Sequence, residues 1–331
     1  MRRLLITGIA GFGGSHAMEH VLANTDWEIV GLASFRHRGD PLRLVNADPA
    51  RVRVHYADLR SDLSPRLIDQ IGHVDYIWHL AAESHVDRSI AEPRHFMENN
   101  VGATLTILEY ARAVKPRAVI QVSTDEVYGP APIGHDHVEW SPIIPSNPYS
   151  AAKAAQEAAA IAYWRTYGVP LVITNTMNLF GERQDPEKFI PMCISRVLAG
   201  QPVTVHGSED RIGSRFYLHA RNHADALLWL TRNRPPAEYE EGLTDRPDRY
   251  HVRGEREIDN LEMAQLIARL LGRPLRYEFV DFHAARPGHD RRYALDDAKL
   301  RGLGWTPLFS LEASLARTID WTLGHREWVA A

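Results

Sequence analysis

In the 331-residue chain, Ser123-Thr124-Asp125-Glu126-Val127-Tyr128-Gly129 follows the apolar run from Ala118 to Val122 and precedes Tyr149-Ser150-Ala151-Ala152-Lys153. An apolar run of that length, ending in hydroxyls, two carboxylates and a glycine, is the pattern of a buried strand that delivers polar side chains to the carboxyl edge of a sheet. Adjacent residues on a regular strand point to opposite faces, so Asp125 and Glu126 address one substrate only if the backbone turns as it leaves the sheet. We expect that turn. Tyr149 and Lys153, four apart, share a face if their segment is helical, and an ammonium beside a phenol lowers its pKa and makes the phenolate a usable base. By itself the spacing also describes a helix with one aromatic and one solvated charge. The hydroxyl-ended strand upstream is what points to a site.

The elements that must hold these residues begin at the N-terminus. Leu4 to Thr7 reads as a buried strand, and Gly8-Ile9-Ala10-Gly11-Phe12-Gly13-Gly14 as a turn into a helix that begins near Ser15. Glycines at Gly8, Gly11 and Gly14 permit a tight turn, let the backbone and Phe12 approach a pyrophosphate, and let the helix pack on the sheet with phosphate at its N-terminus. Glu28 to Ala33 is a second strand. An acidic residue at its end would accept hydrogen bonds from the adenosine ribose, but Ala33 stands there, followed by Ser34, Arg36, His37 and Arg38. A guanidinium in that place can pair with a 2'-phosphate, so NADP stays open beside NAD; a solvated basic loop is the alternative.

Val52 to Tyr56 reads as a third strand, with Asp58 and Leu59 placed to meet an adenine. Asp75 to Leu80 reads as a fourth, running into Ala81 and Ala82, small enough for the backbone to pass under a cofactor, and then into the polar stretch from Glu83 to Ser89. Glu92 to Val114 and the segment after Tyr149 carry long helical patterns. Their apolar faces suit either a homodimer interface or packing within one chain. Leu171 to Asn175 is a sixth strand. Beyond it the alternation of strand and helix weakens, which divides the chain into a dinucleotide-binding domain, 1–175, with later strands returning to it, and a mainly substrate-binding lobe, 176–331. The fold class expected is α/β, a Rossmann-type doubly wound parallel sheet with a smaller C-terminal lobe. Helix-like Pro186 to Pro191, the exposed loop from Arg234 to Pro247, and helices over Leu261–Leu271 and Leu311–His325 complete that lobe. Between the last two lies Arg286-Pro287-Gly288-His289-Asp290-Arg291-Arg292-Tyr293, whose arginines suit a diphosphate or, alternatively, a surface salt-bridge loop.

Hydrophobic residues at 44% and charged ones at 24% describe an ordinary soluble globular protein. The formal net charge of -4 gives no reason to expect nucleic-acid binding. The start, Met1-Arg2-Arg3-Leu4-Leu5-Ile6, is basic and then apolar, but the apolar run stops far short of a signal peptide, and no stretch approaches the roughly 20 residues that span a bilayer. The single Cys193 fits a reducing cytoplasm and, in an apolar helical segment, reads as a buried inert thiol. His219 and His223 have the spacing of a helical metal pair without a convincing third ligand, and read as solvated or hydrogen-bonded helix histidines rather than a metal site.

The glycine loop, His79 to Ile90, Ser123 to Gly129, Tyr149-x-x-x-Lys153, Pro186-Glu187-Lys188 and Arg286 to Tyr293 together resemble the dTDP-glucose 4,6-dehydratases of the extended short-chain dehydrogenase/reductases, nearly end to end. Thr124-Asp125-Glu126 is the most specific part, since related sugar epimerases and decarboxylases usually lack the Asp-Glu pair. The resemblance implies tightly held NAD regenerated in each cycle and a nucleotide-diphosphate sugar as substrate. Tyr149, assisted by Lys153 and Thr124, would take the sugar O4 proton during oxidation at C4. Glu126 would take the C5 proton and Asp125, protonated beforehand, would donate to the departing C6 hydroxyl. Asn178, Arg215, Asn260 and Arg286 would hold the diphosphate, Lys188 and His206 would lie near the base, and Ser84, His85 and His289 would face the substrate. The chain departs from the family at Asn178-Leu179-Phe180-Gly181, at Arg215-Phe216-Tyr217 and at His206, where Asn-Asn-Tyr-Gly, Arg-Asp-Trp and a tyrosine are expected. The nucleotide therefore stays open among dTDP, UDP, CDP and GDP. A nucleotide-sugar 4-epimerase or decarboxylase is the nearest rival and a non-catalytic cofactor-binding regulator the more distant one.

Overall fold

The computed structural model describes residues 1–36, 38–281 and 290–329; of the residues named above, His37 and the Arg286-Pro287-Gly288-His289 stretch lie outside them. Seven parallel strands form one sheet in the order β12-β6-β5-β4-β1-β2-β3. In chain order its parts are β1 (Arg3–Thr7), α1 (Phe12–Asn24), β2 (Glu28–Ala33), β3 (Val52–Tyr56), α2 (Pro65–Ile71), β4 (Tyr76–His79), α3 (Val86–Ala91), α4 (Pro93–Val114), β5 (Ala118–Thr124), α5 (Pro148–Tyr167) and β6 (Leu171–Thr176). After β7 (Leu179–Phe180), α6 (Phe189–Leu198), β8 (Val203–Ser208), β9 (Arg211–Ile212), β10 (Ser214–Arg215), β11 (Leu218–His219) and α7 (Ala220–Asn233), the chain returns to the sheet as β12 (Asp248–Val252). It ends with β13 (Ile258–Asp259), α8 (Asn260–Leu270), β14 (Tyr277–Val280), α9 (Ala298–Gly302) and α10 (Leu311–Gly324).

The twofold repeat of a strand explains why both faces of this sheet are apolar. Leu4 and Ile6 pack into one core with Met18 and Val21 of α1 and Leu227 of α7, while Leu5 between them packs into the other with Ile107 of α4 and Trp164 of α5. Tyr76 and Trp78 go with the first core and Ile77 with the second, so the middle of each central strand is apolar on both faces while polar residues gather toward the carboxyl ends. A third core joins α6, α8 and α10 to β8, with Cys193, Val203, Ile267 and Leu315 fully buried. Burial pushes the Cys193 thiol up and leaves it unreactive.

One helix start and one strand depart most from the sequence reading. Helix α1 starts at Phe12, three residues before Ser15, because Gly14 is inside its first turn: a Cβ there would lie 2.1 Å from the Gly8 carbonyl oxygen. Strand β12 has no apolar run to announce it, since two of its five residues are Arg249 and His251, both fully buried. The caps of α5 are written in the sequence. Asn147 and Ser150 form a capping box that spans Pro148 at the first helical position, and Gly168 closes the helix at φ 66.

Candidate active site

Strand order reverses at β1, which lies between β2 and β4, so a crevice opens at the carboxyl ends of these strands. A cleft of about 380 Å³ occupies that place and continues past the end of β5, a size suited to a small ligand. Its floor is the glycine loop. Gly8 has φ 68 and sits against Ala81, where a Cβ would come within 3.0 Å of the Ala81 backbone. Gly11 is the N-cap of α1 and offers no side chain to its first-turn N–H groups, so these face the cleft as anion donors. The Thr7 hydroxyl accepts the N–H groups of Leu80 and Ala81, at 3.1 and 3.0 Å, and fixes the crossing of β1 and β4 beneath the loop. Gly8, Gly11, Phe12 and Gly14 share this cleft with Leu80, Ala81 and Ala82. Ser34, Arg36, Asp58 and Leu59 lie along it as well. This cradle fits a dinucleotide.

Beyond the glycine loop the cleft is lined by Thr124, Asp125, Glu126, Tyr149 and Lys153. The expected turn is a single 3-10 turn over Asp125–Tyr128, begun by Thr124, whose Oγ1 accepts the Glu126 N–H at 3.3 Å. It brings two consecutive acids to one cleft. Asp125 Oδ1 accepts from the Thr124 hydroxyl at 2.7 Å, while its Oδ2 is buried with no hydrogen-bond partner among the described residues. An ionised carboxylate in that position would leave a buried charge unsatisfied, so the neutral acid is favoured. Accordingly, burial first and the Glu126 charge second push the Asp125 pKa up to about 7. Burial raises Glu126 too, against donors from Asn147 Nδ2 and the Tyr293 hydroxyl, each 3.3 Å from Oε2.

The Tyr149 phenol is hydrogen-bonded to Thr124, but it is pushed up, not down: burial is the larger cause and the Glu126 charge the next. The sequence reading expected Lys153 to lower it. The Lys153 ammonium instead donates to the Val122 carbonyl at 2.7 Å, and burial brings its own pKa down to about 8.

Of the substrate positions expected from the sequence, Ser84, His85, Asn178 and Lys188 line the cleft. His206, Arg215 and Asn260 do not. Arg215 donates to the carbonyls of Asp290 and Arg291 and lies 4.4 Å over the Tyr293 ring, and Asn260 accepts from the Tyr217 hydroxyl at 2.9 Å; His206 lies on β8. Arg286 and His289 fall outside the described residues. Within the same arginine-rich loop, Arg292 is a salt-bridge residue, paired with Glu257 and Asp136 at 2.8 Å each. His219 and His223 are buried rather than solvated. His219 caps α7 by accepting the Arg221 N–H at 3.1 Å and faces Glu182 at 3.2 Å.

Two residues that touch Glu126, Asn147 and Tyr293, have no site role in the sequence reading. Asn147 was legible only as a helix cap; its Oδ1 accepts the Ser150 N–H while its Nδ2 reaches Glu126. Tyr293 stood in a quoted motif without a role, and nothing in sequence spacing brings position 293 to position 126. Behind the turn lies a buried scaffold. Arg249 of β12 pairs with Glu157 of α5 at 2.8 Å, Glu157 accepts from Asn175 at 2.8 Å, and Asn175 donates to the Thr124 carbonyl at 2.9 Å.

A family model for GDP-mannose 4,6 dehydratase matches residues 5–318. A dTDP-glucose 4,6-dehydratase of Salmonella typhimurium is 36% identical, covering 99% of this chain and 94% of its own, and one of Neisseria meningitidis is 37% identical, covering 99% and 95%. The solved structure of a dTDP-glucose 4,6-dehydratase from Streptomyces venezuelae with NAD bound is 37% identical, covers 98% of both chains and superposes with a TM-score of 0.85. With a glycine-floored dinucleotide cleft, a parallel sheet reversing at β1 and these similarities along nearly its whole length, the chain belongs to the GDP-mannose 4,6 dehydratase family.

Proposed function

We propose that this protein is a nucleotide-sugar 4,6-dehydratase, a hydro-lyase that converts dTDP-glucose or a close relative to the 4-keto-6-deoxy sugar, with NAD as its cofactor. The observation that carries the reading is the buried Asp125–Glu126 pair beside Thr124, Tyr149 and Lys153 in one cleft. When bound, NAD supplies the acceptor for a hydride from the sugar and returns it later in the cycle.

The chain's own groups supply the proton chemistry. Tyr149 takes the O4 proton, assisted by Thr124, whose hydrogen bond favours the phenolate against burial and the Glu126 charge. A ketone at C4 acidifies the hydrogen on C5, which Glu126 removes as a carboxylate. Asp125 still carries its proton near neutrality because burial opposes its ionisation, and gives that proton to the departing C6 hydroxyl. Glu126 then hands its proton back to C5. Asn147 and Tyr293 orient Glu126 through the two donors on Oε2. Asn178, Lys188, Ser84 and His85 take the sugar and diphosphate within the cleft.

An epimerase shares the oxidation at C4 but needs no acid and base at C5 and C6. Product mass separates the two. Incubation with dTDP-glucose, UDP-glucose, CDP-glucose and GDP-mannose is expected to yield one product lighter than its substrate by one water; a product of unchanged mass would assign epimerisation instead.

The reading extends to a homodimer in the cytoplasm. Helices α4 and α5 pack together, yet Met97 and Leu105 of α4 stay 39% and 40% exposed and Tyr167 of α5 47%, as a pair of helices shared by two subunits would leave them. No helix among the described residues is long and apolar enough to cross a membrane. Light scattering on the purified protein is expected to give twice the chain mass.

A further inference from the structure

Tyr293 is 3% exposed and packs with Val127, Tyr128, Met177 and Phe216 beside the turn that carries the two acids. The segment that delivers it is clamped from both sides. The Ser214 N–H donates to the Arg291 carbonyl and the Ala131 N–H to the Arg292 carbonyl, each at 3.0 Å, while Arg292 pairs with Glu257 and Asp136. The Arg215 guanidinium lies 4.4 Å over the Tyr293 ring. A cation on that face draws electron density from the phenol and makes its hydroxyl a better donor. The hydroxyl oxygen accepts the Asp290 N–H at 3.3 Å, which turns its own hydrogen toward Glu126 Oε2, also 3.3 Å away.

The two acids differ in what surrounds them. Glu126 Oε2 takes donors from Asn147 and Tyr293, and the cations of Arg215 and Lys188 favour its charge; the Tyr149 phenol that also feels this charge stays protonated. Asp125 accepts from Thr124 on Oδ1 and feels Arg215 as well, but its Oδ2 has no hydrogen-bond partner among the described residues. Resting on the dehydratase reading above, we infer that Tyr293 is the positioning residue that settles which acid of the pair is ionised: its hydroxyl keeps Glu126 the carboxylate base and so leaves the proton on Asp125. Burial pushes the Tyr293 phenol itself up, so it remains a donor across the working range and does not compete as an acid. Without that donor, the proton shared by two buried carboxyls moves from Asp125 toward Glu126. C5 then loses its base and C6 its acid in a single change.

Tyr293→Phe keeps the ring and removes the hydroxyl. Wild type and variant are compared in D2O with dTDP-glucose, or with whichever of the four nucleotide sugars wild type dehydrates, following reduced-cofactor absorbance, deuterium at product C5, and kcat against pH. The variant is expected to lose about 10- to 100-fold in kcat with KM within about threefold, and the acid limb of its kcat profile to move up by about one pH unit. The limb moves up because a carboxylate that loses a donor gains proton affinity. Reduced cofactor is expected to accumulate ahead of the slowed elimination. Replacing Tyr293 alone by a fluorotyrosine, a stronger donor of nearly the same shape, is expected to move the limb down, and this variant carries the test if Tyr293→Phe does not fold. A limb that stays in place in either variant would overturn the inference, as would a fall in kcat that is uniform across pH, the mark of lost packing alone. Wild-type protein that yields no product lighter by one water from any of the four sugars would overturn the dehydratase reading itself and this inference with it.

Discussion

Asp125 shows how a single residue can be poor for stability and good for chemistry. Its carboxyl is 2% exposed, and burial together with Glu126 holds its proton up to about pH 7. In an unfolded chain the same group ionises near 3.9. Between those values the folded state binds more protons than the unfolded one, so stability falls as pH rises through the window. Asp125→Asn escapes that cost. It is expected to unfold at higher urea than wild type at pH 8, by an amount on the order of a few kcal/mol at most, with the gap closing below about pH 4. The same variant is expected to lose water elimination about 10²- to 10⁴-fold, the range of a general acid, while oxidation at C4 persists. Transient absorbance of the reduced cofactor beside product formation separates the two steps; equal loss of both would remove Asp125 from the elimination.

At the scale of elements, two close fits bring the cleft together. The first is α1 against the glycine loop. Since a Cβ at Gly14 would stand 2.1 Å from a backbone oxygen, Gly14→Ala must push the helix off the loop. A cost of roughly 1–3 kcal/mol, as for overpacking, and at least a tenfold loss of dinucleotide affinity are expected; unchanged thermal midpoint and cofactor content would show that the loop adapts. The second is β12 against α5 and β6 through Arg249, Glu157 and Asn175. Arg249→Met leaves Glu157 buried without its cation and is expected to cost about 3–5 kcal/mol in chemical unfolding. Because Asn175 also holds the Thr124 carbonyl, kcat is expected to fall with it. A loss below about 1 kcal/mol would mean that the pair does not hold β12 to the sheet.

At the scale of the whole molecule, the two halves of the sequence are joined by Glu182. Its buried carboxylate receives Arg221 at 3.2 Å and Arg317 at 2.8 Å on one oxygen, and faces His16 and His219 at 3.3 and 3.2 Å on the other. Thus α1, α7 and α10 meet on one anion. Its donors outweigh the burial cost and hold the Glu182 pKa far below the usual carboxylate range. A depressed folded value means stability that is complete above the unfolded pKa of about 4.3 and drains away as pH falls below it. Glu182→Gln is expected to lower stability by about 3–5 kcal/mol at pH 7, with the difference shrinking under acid conditions. A pH-independent difference in the unfolding midpoint would mean that charge is not what Glu182 contributes.

The order of β1 to β6, the glycine loop and the Thr124-Asp125-Glu126 and Tyr149-x-x-x-Lys153 groups were legible in the amino-acid sequence, because each is a local pattern of apolar runs, glycines and hydroxyls spaced by strand and helix geometry. Strand β12 was not, since its burial depends on Glu157 and Tyr128, 92 and 121 positions away from Arg249. The same holds for Tyr293, 167 positions from the Glu126 it touches, and for Arg215, whose guanidinium goes to backbone carbonyls instead of the cleft. Even the state of Tyr149 was a tertiary matter. The lysine four residues on supplies a cation, but burial and the carboxylates gathered around the phenol set its proton affinity. Local pattern says which groups a segment carries, while the environment that decides their charge and their partners exists only after distant segments have packed.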